Sequence, residues 1–315
     1  MGGTSVYSLL HRLVASSVRI SEKAGQLIRA ILLEGNLDVV QKGKNDFQTR
    51  ADIAAQNCII GSLRKQFPNP TFAIIGEEKI AEVEEDPSWL EPGHCEEVFS
   101  HKLPDKWSNI RDEQITVWVD PLDGTAEFSQ SQENLELREH VTVLIGLAVD
   151  SEPVAGVIHQ PFYHRDPSKQ PGRTIWGICG LGSFGLNLMP PMEGNIITTS
   201  RSHSNAVVKS AIDALKPTQV LAVGGAGHKV LLVIEGRAHA YVFASPGCKK
   251  WDTCAPEAVL RALGGNLTDI HGNRIQYHTG VAFPNSGGVL ATPPGRDHQD
   301  YVKLIPEEVK KTLPV

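Results

Sequence analysis

An apolar run over residues 115–119 leads without a break into Asp120-Pro121-Leu122-Asp123-Gly124-Thr125, and no other part of the chain constrains its fold as strongly. The run reads as a buried strand, and the residues after it place two carboxylates on a Pro-Gly turn. Such a turn aims both side chains and the Leu122 carbonyl at one point. Hard cations such as Mg²⁺ take oxygen ligands, keep several waters, and use one or two carboxylates together with a substrate phosphate. The ordinary alternative is an Asp-Gly turn whose carboxylates are solvated.

Two further acidic sites stand where an apolar segment ends or a helix begins. Glu77-Glu78 follows Phe72-Ala73-Ile74-Ile75-Gly76, and loops at strand ends carry ligands into crevices. Asp252, after Trp251, precedes a predicted helix and reads as its N-cap. A cap and a metal ligand are compatible roles, because a carboxylate has two oxygens.

Helical spacing of apolar residues predicts a first helix over residues 6–33, stopped by Gly35. Thr49 with Asp52 three positions on predicts a capped second helix that ends before Pro68. Strands are expected over 72–75, 115–119, 196–199, 220–223 and 240–244, and a hairpin joins 141–149 to 154–158. The acidic stretch 77–97 reads as a solvated excursion. Helices are expected over 204–215, 229–235 and 254–263, and Asn266-Leu267-Thr268 reads as strand. Strands and helices alternate after the Gly-rich run 177–185, so a boundary falls between 160 and 190. We divide the chain into an N-terminal α+β domain, 1–170, and a C-terminal α/β domain, 171–315.

With 315 residues, 41% hydrophobic, the chain can bury a full core. A net charge of −6 lacks the basic excess of proteins that grip nucleic acid, which excludes a polymeric partner. The five cysteines form no Cys-x-x-Cys pair and fit reduced thiols in a cytoplasmic protein. The N-terminal apolar residues are broken by His11, Arg12 and Arg19, unlike a signal region or membrane span. Val6 stands where a myristoylation motif needs Ser or Thr.

Taken together, Glu77-Glu78, Asp120-Pro121-Leu122-Asp123-Gly124-Thr125 and Trp251-Asp252 resemble the three-part metal signature of the lithium-sensitive, inositol-monophosphatase-like phosphatases. Thr198-Thr199-Ser200-Arg201-Ser202-His203, Gly224-Gly225-Ala226-Gly227 and Ser245-Pro246-Gly247-Cys248-Lys249-Lys250-Trp251-Asp252 are most similar to the branch acting on bisphosphorylated nucleotides. The likeness runs through nearly the whole chain. It implies a layered α/β/α/β/α sandwich of the inositol-monophosphatase/fructose-1,6-bisphosphatase kind, with two or three Mg²⁺ ions and inhibition by Li⁺. It also implies hydrolysis of 3'-phosphoadenosine 5'-phosphate (adenosine 3',5'-bisphosphate) to AMP and phosphate by a monomer or weak homodimer. Some relatives also take inositol 1,4-bisphosphate or 3'-phosphoadenosine 5'-phosphosulfate.

Carried over by motif, Glu77, Asp120, the Leu122 carbonyl, Asp123 and Asp252 are the implied metal ligands. Asp52, Thr125 and Glu77 are the implied catalytic residues, and Thr125, Ser200, His203, Gly225 and Lys229 the implied substrate contacts. Read from the residues alone, Asp52 is equally the capping acid of the second helix, and Lys229 a solvated helix charge. Thr199 to His203 is expected to leave a strand and start a helix, a place for the unreacting phosphate. Gly225-Ala226-Gly227 lacks the third glycine of a dinucleotide fingerprint, since position 230 is Val. Two departures stand out: Ala126 replaces a basic residue after Asp-Gly-Thr, and the segment 129–139 is longer than usual. Two other functions stay open, an inositol (poly)phosphate 1-phosphatase and a non-catalytic regulator that binds phosphate metabolites.

Overall fold

The computed structural model describes residues 7–43, 46–78, 86–164, 168, 170–190, 192–202 and 205–314. Two long helices open the chain. In α1 (Leu9–Glu34) the Ser8 side chain accepts the His11 N–H at one end and Gly35 turns left-handed at the other, φ 84°, the conformation glycine adopts without penalty. In α2 (Arg50–Gln66) the predicted capping box forms between Thr49 and Asp52. A short hairpin, β1 (Val40–Gly43) and β2 (Asp46–Gln48), lies between them.

A six-stranded sheet follows in the order β3 (Ala73–Gly76), β4 (Ile115–Asp123), β5 (Thr142–Val149), β6 (Glu152–Gln160), β7 (Arg173–Ile178) and β8 (Gly182–Phe184). Only the β3–β4 pair is parallel. A second, five-stranded sheet is built from β9 (Ile196–Ser200), β10 (Gln219–Val223), β11 (Ala240–Phe243), β12 (Asn266–Thr268) and β13 (Val289–Thr292), in the order β10-β9-β11-β13-β12. The change of sheet falls between Phe184 and Ile196, so β7 and β8, which lie beyond residue 170, hydrogen-bond into the first sheet.

The remaining helices are α3 (Glu96–Phe99), α4 (Thr125–Gln130), α5 (Ala206–Ala214), α6 (Ala226–Ile234), α7 (Lys250–Ala262), α8 (His298–Leu304) and α9 (Glu307–Lys310). Helices α1 and α2 cover the outer face of the first sheet, α6 and α7 fill the space between the sheets, and α5, α8 and α9 cover the second sheet. The result is the expected α/β/α/β/α stack, with one apolar core around the middle layer and one under each outer layer of helices. Helix α7 reaches the first sheet closely because β5 and β6 present Gly146 and Gly156 to it; a Cβ at Gly156 would lie 2.2 Å from the Ala255 carbonyl oxygen.

Several expectations need correction. Helix α6 begins at Ala226 rather than 229, and α7 at Lys250 rather than 254. Ser200 ends a strand, and the next helix starts only after the Asn205 cap. The described end of the acidic stretch, 86–97, is solvent-facing as expected but tied down by its backbone, Cys95 donating its N–H to the Ala15 carbonyl and Glu91 its N–H to the Ser62 hydroxyl.

Candidate active site

Strand β4 does not turn after Val119, as the sequence suggested, but stays extended through Asp123. Asp120 stands opposite Leu144 and Asp123 opposite Thr142, three steps along β4 against two along β5. This is a bulge, and it changes the geometry of the motif. Residues three apart on a regular strand point to opposite faces, whereas here both aspartates line the same cavity. Gly124, at φ 90°, then starts α4 with Thr125 as its first residue.

That cavity encloses about 400 Å³ between the first sheet and the middle and second layers. Glu77, Asp120, Leu122, Asp123, Thr125, Ser200, Gly225, Lys229 and Asp252 all line it. Asp52 stands behind Thr125, fully buried, and His203 lies outside the described residues.

Asp52 closes the capping box with one oxygen and faces Thr125 with the other. Its Oδ2 accepts from the Thr49 N–H at 2.8 Å and the Thr49 hydroxyl at 2.5 Å, closing the capping box. Its Oδ1 faces the Thr125 hydroxyl at 3.0 Å, which also lies 3.1 Å from the Leu122 carbonyl oxygen. Burial pushes the Asp52 carboxyl up to about 7, with the Glu78 charge adding and the Thr49 and Thr125 hydrogen bonds opposing.

Four of the acids that line the cavity, Glu77, Asp120, Asp123 and Asp252, crowd one another. Asp120 is raised well above the usual range by burial and then by the Glu77, Asp123 and Asp252 charges, and it shares a hydrogen bond with Asp252. Glu77 is pushed up to about 8 by burial and by Asp252, against the pull of Lys42 at 3.7 Å and Lys249 at 4.0 Å. Asp252 is pushed up to about 6, chiefly by burial. It is not an N-cap: Lys249 holds that position, and Asp252, three residues on, accepts the Lys249 N–H at 2.7 Å. Asp123 is raised by burial but opposed by Lys229, by Thr142 at 2.7 Å, and by the Ala226 and Gly227 N–H groups at 2.8 Å each. Its carboxylate thus caps α6, whose Gly-Ala-Gly start reads poorly as helix. Lys229 is only 4% exposed, so it is no solvated helix charge.

Among the described residues no three His, Cys, Asp or Glu side chains close around one point as a complete cage, and Mg²⁺ does not require one, because it retains waters and takes substrate oxygens. The residues fit such an ion: several buried carboxylates share one cavity with too few cations, and each keeps oxygen lone pairs beyond its hydrogen bonds. Cys248 also lines the cavity, but burial pushes its thiol up to about 12, which removes it as a thiolate nucleophile.

Residues 9–310 match the Inositol monophosphatase family. The chain belongs to that family. It is 49% identical to 3'(2'),5'-bisphosphate nucleotidase 1 of Mus musculus over 98% of this chain and 99% of that protein. The 3'(2'),5'-bisphosphate nucleotidase 1 of Dictyostelium discoideum is 36% identical, over 93% of this chain and 96% of that one. Among solved structures, the extragenic suppressor protein suhB from Bartonella henselae superposes with a TM-score of 0.65 at 21% identity, covering 92% of this chain and 96% of its own. The inositol monophosphatase family is generally metal-dependent.

Sequence reasoning about this family member missed several residues of the cavity. Phe47 reaches it from β2, and Glu127, 3% exposed, lines it one turn into α4. Glu127 pairs with Arg201 at 2.9 Å, tying α4 to the end of β9. Lys42 reaches Glu78 at 2.8 Å, and Gln48 bonds the same carboxylate. A charge in the first turn of a short helix is the only sequence signal for Glu127; its partner lies 74 residues away in sequence.

Proposed function

We propose that this chain is a Mg²⁺-dependent 3'(2'),5'-bisphosphate nucleotidase that hydrolyses 3'-phosphoadenosine 5'-phosphate to AMP and phosphate. The observation that carries the reading is one cavity lined both by the acids Glu77, Asp120, Asp123 and Asp252 and by Ser200, Gly225 and Lys229. The acids suit cations that hold the scissile phosphate, and the second group suits the phosphate that does not react. Near-full-length identity to nucleotidases favours the nucleotide over an inositol phosphate.

Bound Mg²⁺, in two or three ions, would supply an activated water and neutralise charge on the phosphate oxygens, and Li⁺ would inhibit by displacing it. The chain's own residues do the rest. Thr125 Oγ1 orients the attacking water and passes a proton to Asp52 Oδ1, whose carboxyl, near 7, is matched to that exchange at neutral pH. A water oxygen–phosphorus bond forms as the bond to the 3'-oxygen breaks; that oxygen takes a proton from solvent, and Asp52 returns the proton it received to solvent. Lys229 Nζ, buried near Asp123 at the same cavity, holds the second phosphate by charge.

The test is phosphate release from 3'-phosphoadenosine 5'-phosphate beside inositol 1,4-bisphosphate and inositol 1-phosphate, with and without Mg²⁺ and Li⁺. The expected result is Mg²⁺-dependent, Li⁺-sensitive preference for the nucleotide. Preference for an inositol phosphate would overturn the substrate, and inactivity on all three would overturn the enzyme.

A further inference from the structure

His140 closes the segment between α4 and β5 and touches the Gly224–Gly225 corner, the loop that leads into α6, in three ways. Its Nδ1 accepts the Gly224 N–H at 3.3 Å. Its ring packs on His228, in the first turn of α6, with centroids 4.8 Å apart. Its carbonyl oxygen fills the space that a Cβ on Gly225 would need, at 2.3 Å, and nearly touches that of Gly124, at 3.1 Å. The opposite side of the loop is held by Asp123, through the Ala226 and Gly227 N–H groups. Glu127 occupies the space beside Gly224.

The loop is therefore clamped from two sides, by a site carboxylate in front and by an imidazole behind. Gly224 is buried, so its N–H would go unpaired without the ring, and an unpaired buried donor is costly enough to move a loop. Because Nδ1 accepts, the ring proton sits on Nε2. Burial, then Arg201 and Lys229, push the His140 ring down to about 4, so it stays an acceptor at neutral pH. The long 129–139 segment, which matched no expected contact, delivers this side chain.

We infer that His140 is a positioning residue: by accepting the Gly224 N–H it fixes the loop that orients Asp123 and presents Gly225 and Lys229 to the substrate. It is not among the residues that line the cavity.

Three variants separate the hydrogen bond from the packing. H140N keeps an acceptor, Oδ1, at the same bond separation from the backbone but loses the ring; H140F keeps a ring but loses the acceptor; H140A loses both. The first readout is amide hydrogen exchange across residues 221–228 of the full chain, with residues 142–149 as the internal check of folding. It does not depend on the identity of the substrate. Exchange in the loop should quicken about tenfold in H140F and H140A and stay near wild type in H140N. The second readout, which rests on the nucleotidase reading, is kcat/KM on 3'-phosphoadenosine 5'-phosphate. It should fall about tenfold in H140F and H140A and within about twofold of wild type in H140N. Wild-type exchange in H140F, or equal loss in H140N and H140F, would overturn the inference. If H140F does not fold, H140A against H140N decides the same question. Altered exchange with no substrate turned over even by wild type would overturn the nucleotidase reading and leave the clamp standing.

Discussion

Both oxygens of Asp123 are engaged before any cation arrives, one by the Ala226 N–H and the other by the Gly227 N–H and the Thr142 hydroxyl. This changes what Asp123→Asn should do. Asparagine keeps the shape but replaces one acceptor by an NH₂ group, which meets a backbone donor in either orientation. We expect turnover to be lost and stability to fall by about 1–3 kcal/mol, the usual cost of an unmade buried hydrogen bond. Melting should drop by roughly 1.5 °C per kcal/mol in a chain of this size. Near-normal phosphate release would remove Asp123 from the site, and an unchanged melting point would remove its capping role. The acids themselves were legible in the sequence because each ends a strand or opens a helix beside a turn. His140, Glu127 and Arg201 were not, because their meaning comes from partners in other layers. The bulge that brings Asp120 and Asp123 to one face was equally invisible, since register depends on β5 and not on β4 alone.

Helix α2 and the C-terminal end of α1 were read nearly to the residue, because caps and a left-handed glycine act within a few positions, although α1 begins at Leu9 rather than at 6. Helices α6 and α7 were each placed three or four residues late. Their first turns are stabilised by contacts the local pattern does not show: Asp123 on α6, and an Asp252 hydrogen bond to the Lys249 backbone on α7, where no Ser, Thr or Asn marks the start. Helix α7 carries Asp252 into the cavity, and its depth is set by Gly146 and Gly156. A Cβ at Gly146 would meet the Ala255 N at 2.6 Å, and one at Gly156 the Ala255 carbonyl oxygen at 2.2 Å. Backbone atoms in the middle layer cannot swing aside as a side chain can, so Gly156→Ala should push α7 outward. The expected cost is about 1–3 kcal/mol or more, with Asp252 displaced and phosphate release reduced alongside the melting point. A variant that melts and turns over like wild type would show that α7 is not held at this depth by the glycine.

At the scale of the molecule, the acidic cavity is the seam of the stack. Glu77 and the two β4 aspartates come from the first sheet, Asp252 from the middle layer, and Ser200 from the second sheet. The order of layers followed from the family likeness, but the membership of β7 and β8 in the first sheet did not, because strand pairing is settled by partners far away in sequence. Closing the seam without metal is costly: four buried carboxylates carry protons or repel one another, and both destabilise the folded chain. A divalent ion that binds only the folded state adds RT ln(1 + [L]/Kd), about 2.7 kcal/mol at a hundredfold excess over Kd. Adding Mg²⁺ after chelator treatment should therefore raise the melting temperature by roughly 4 °C. Asp120→Asn gives the discriminating case, because it removes one of the crowded charges while Oδ1 still accepts the Leu122 N–H, 3.0 Å away in the wild-type chain. Its metal-free form should melt at or above wild type, and its Mg²⁺-induced rise should largely vanish. The same rise in both proteins would place the ion elsewhere, and the absence of any rise in wild type would mean that the seam closes without one. A higher metal-free melting point together with lost turnover would identify Asp120 as a residue kept for metal chemistry at the expense of stability.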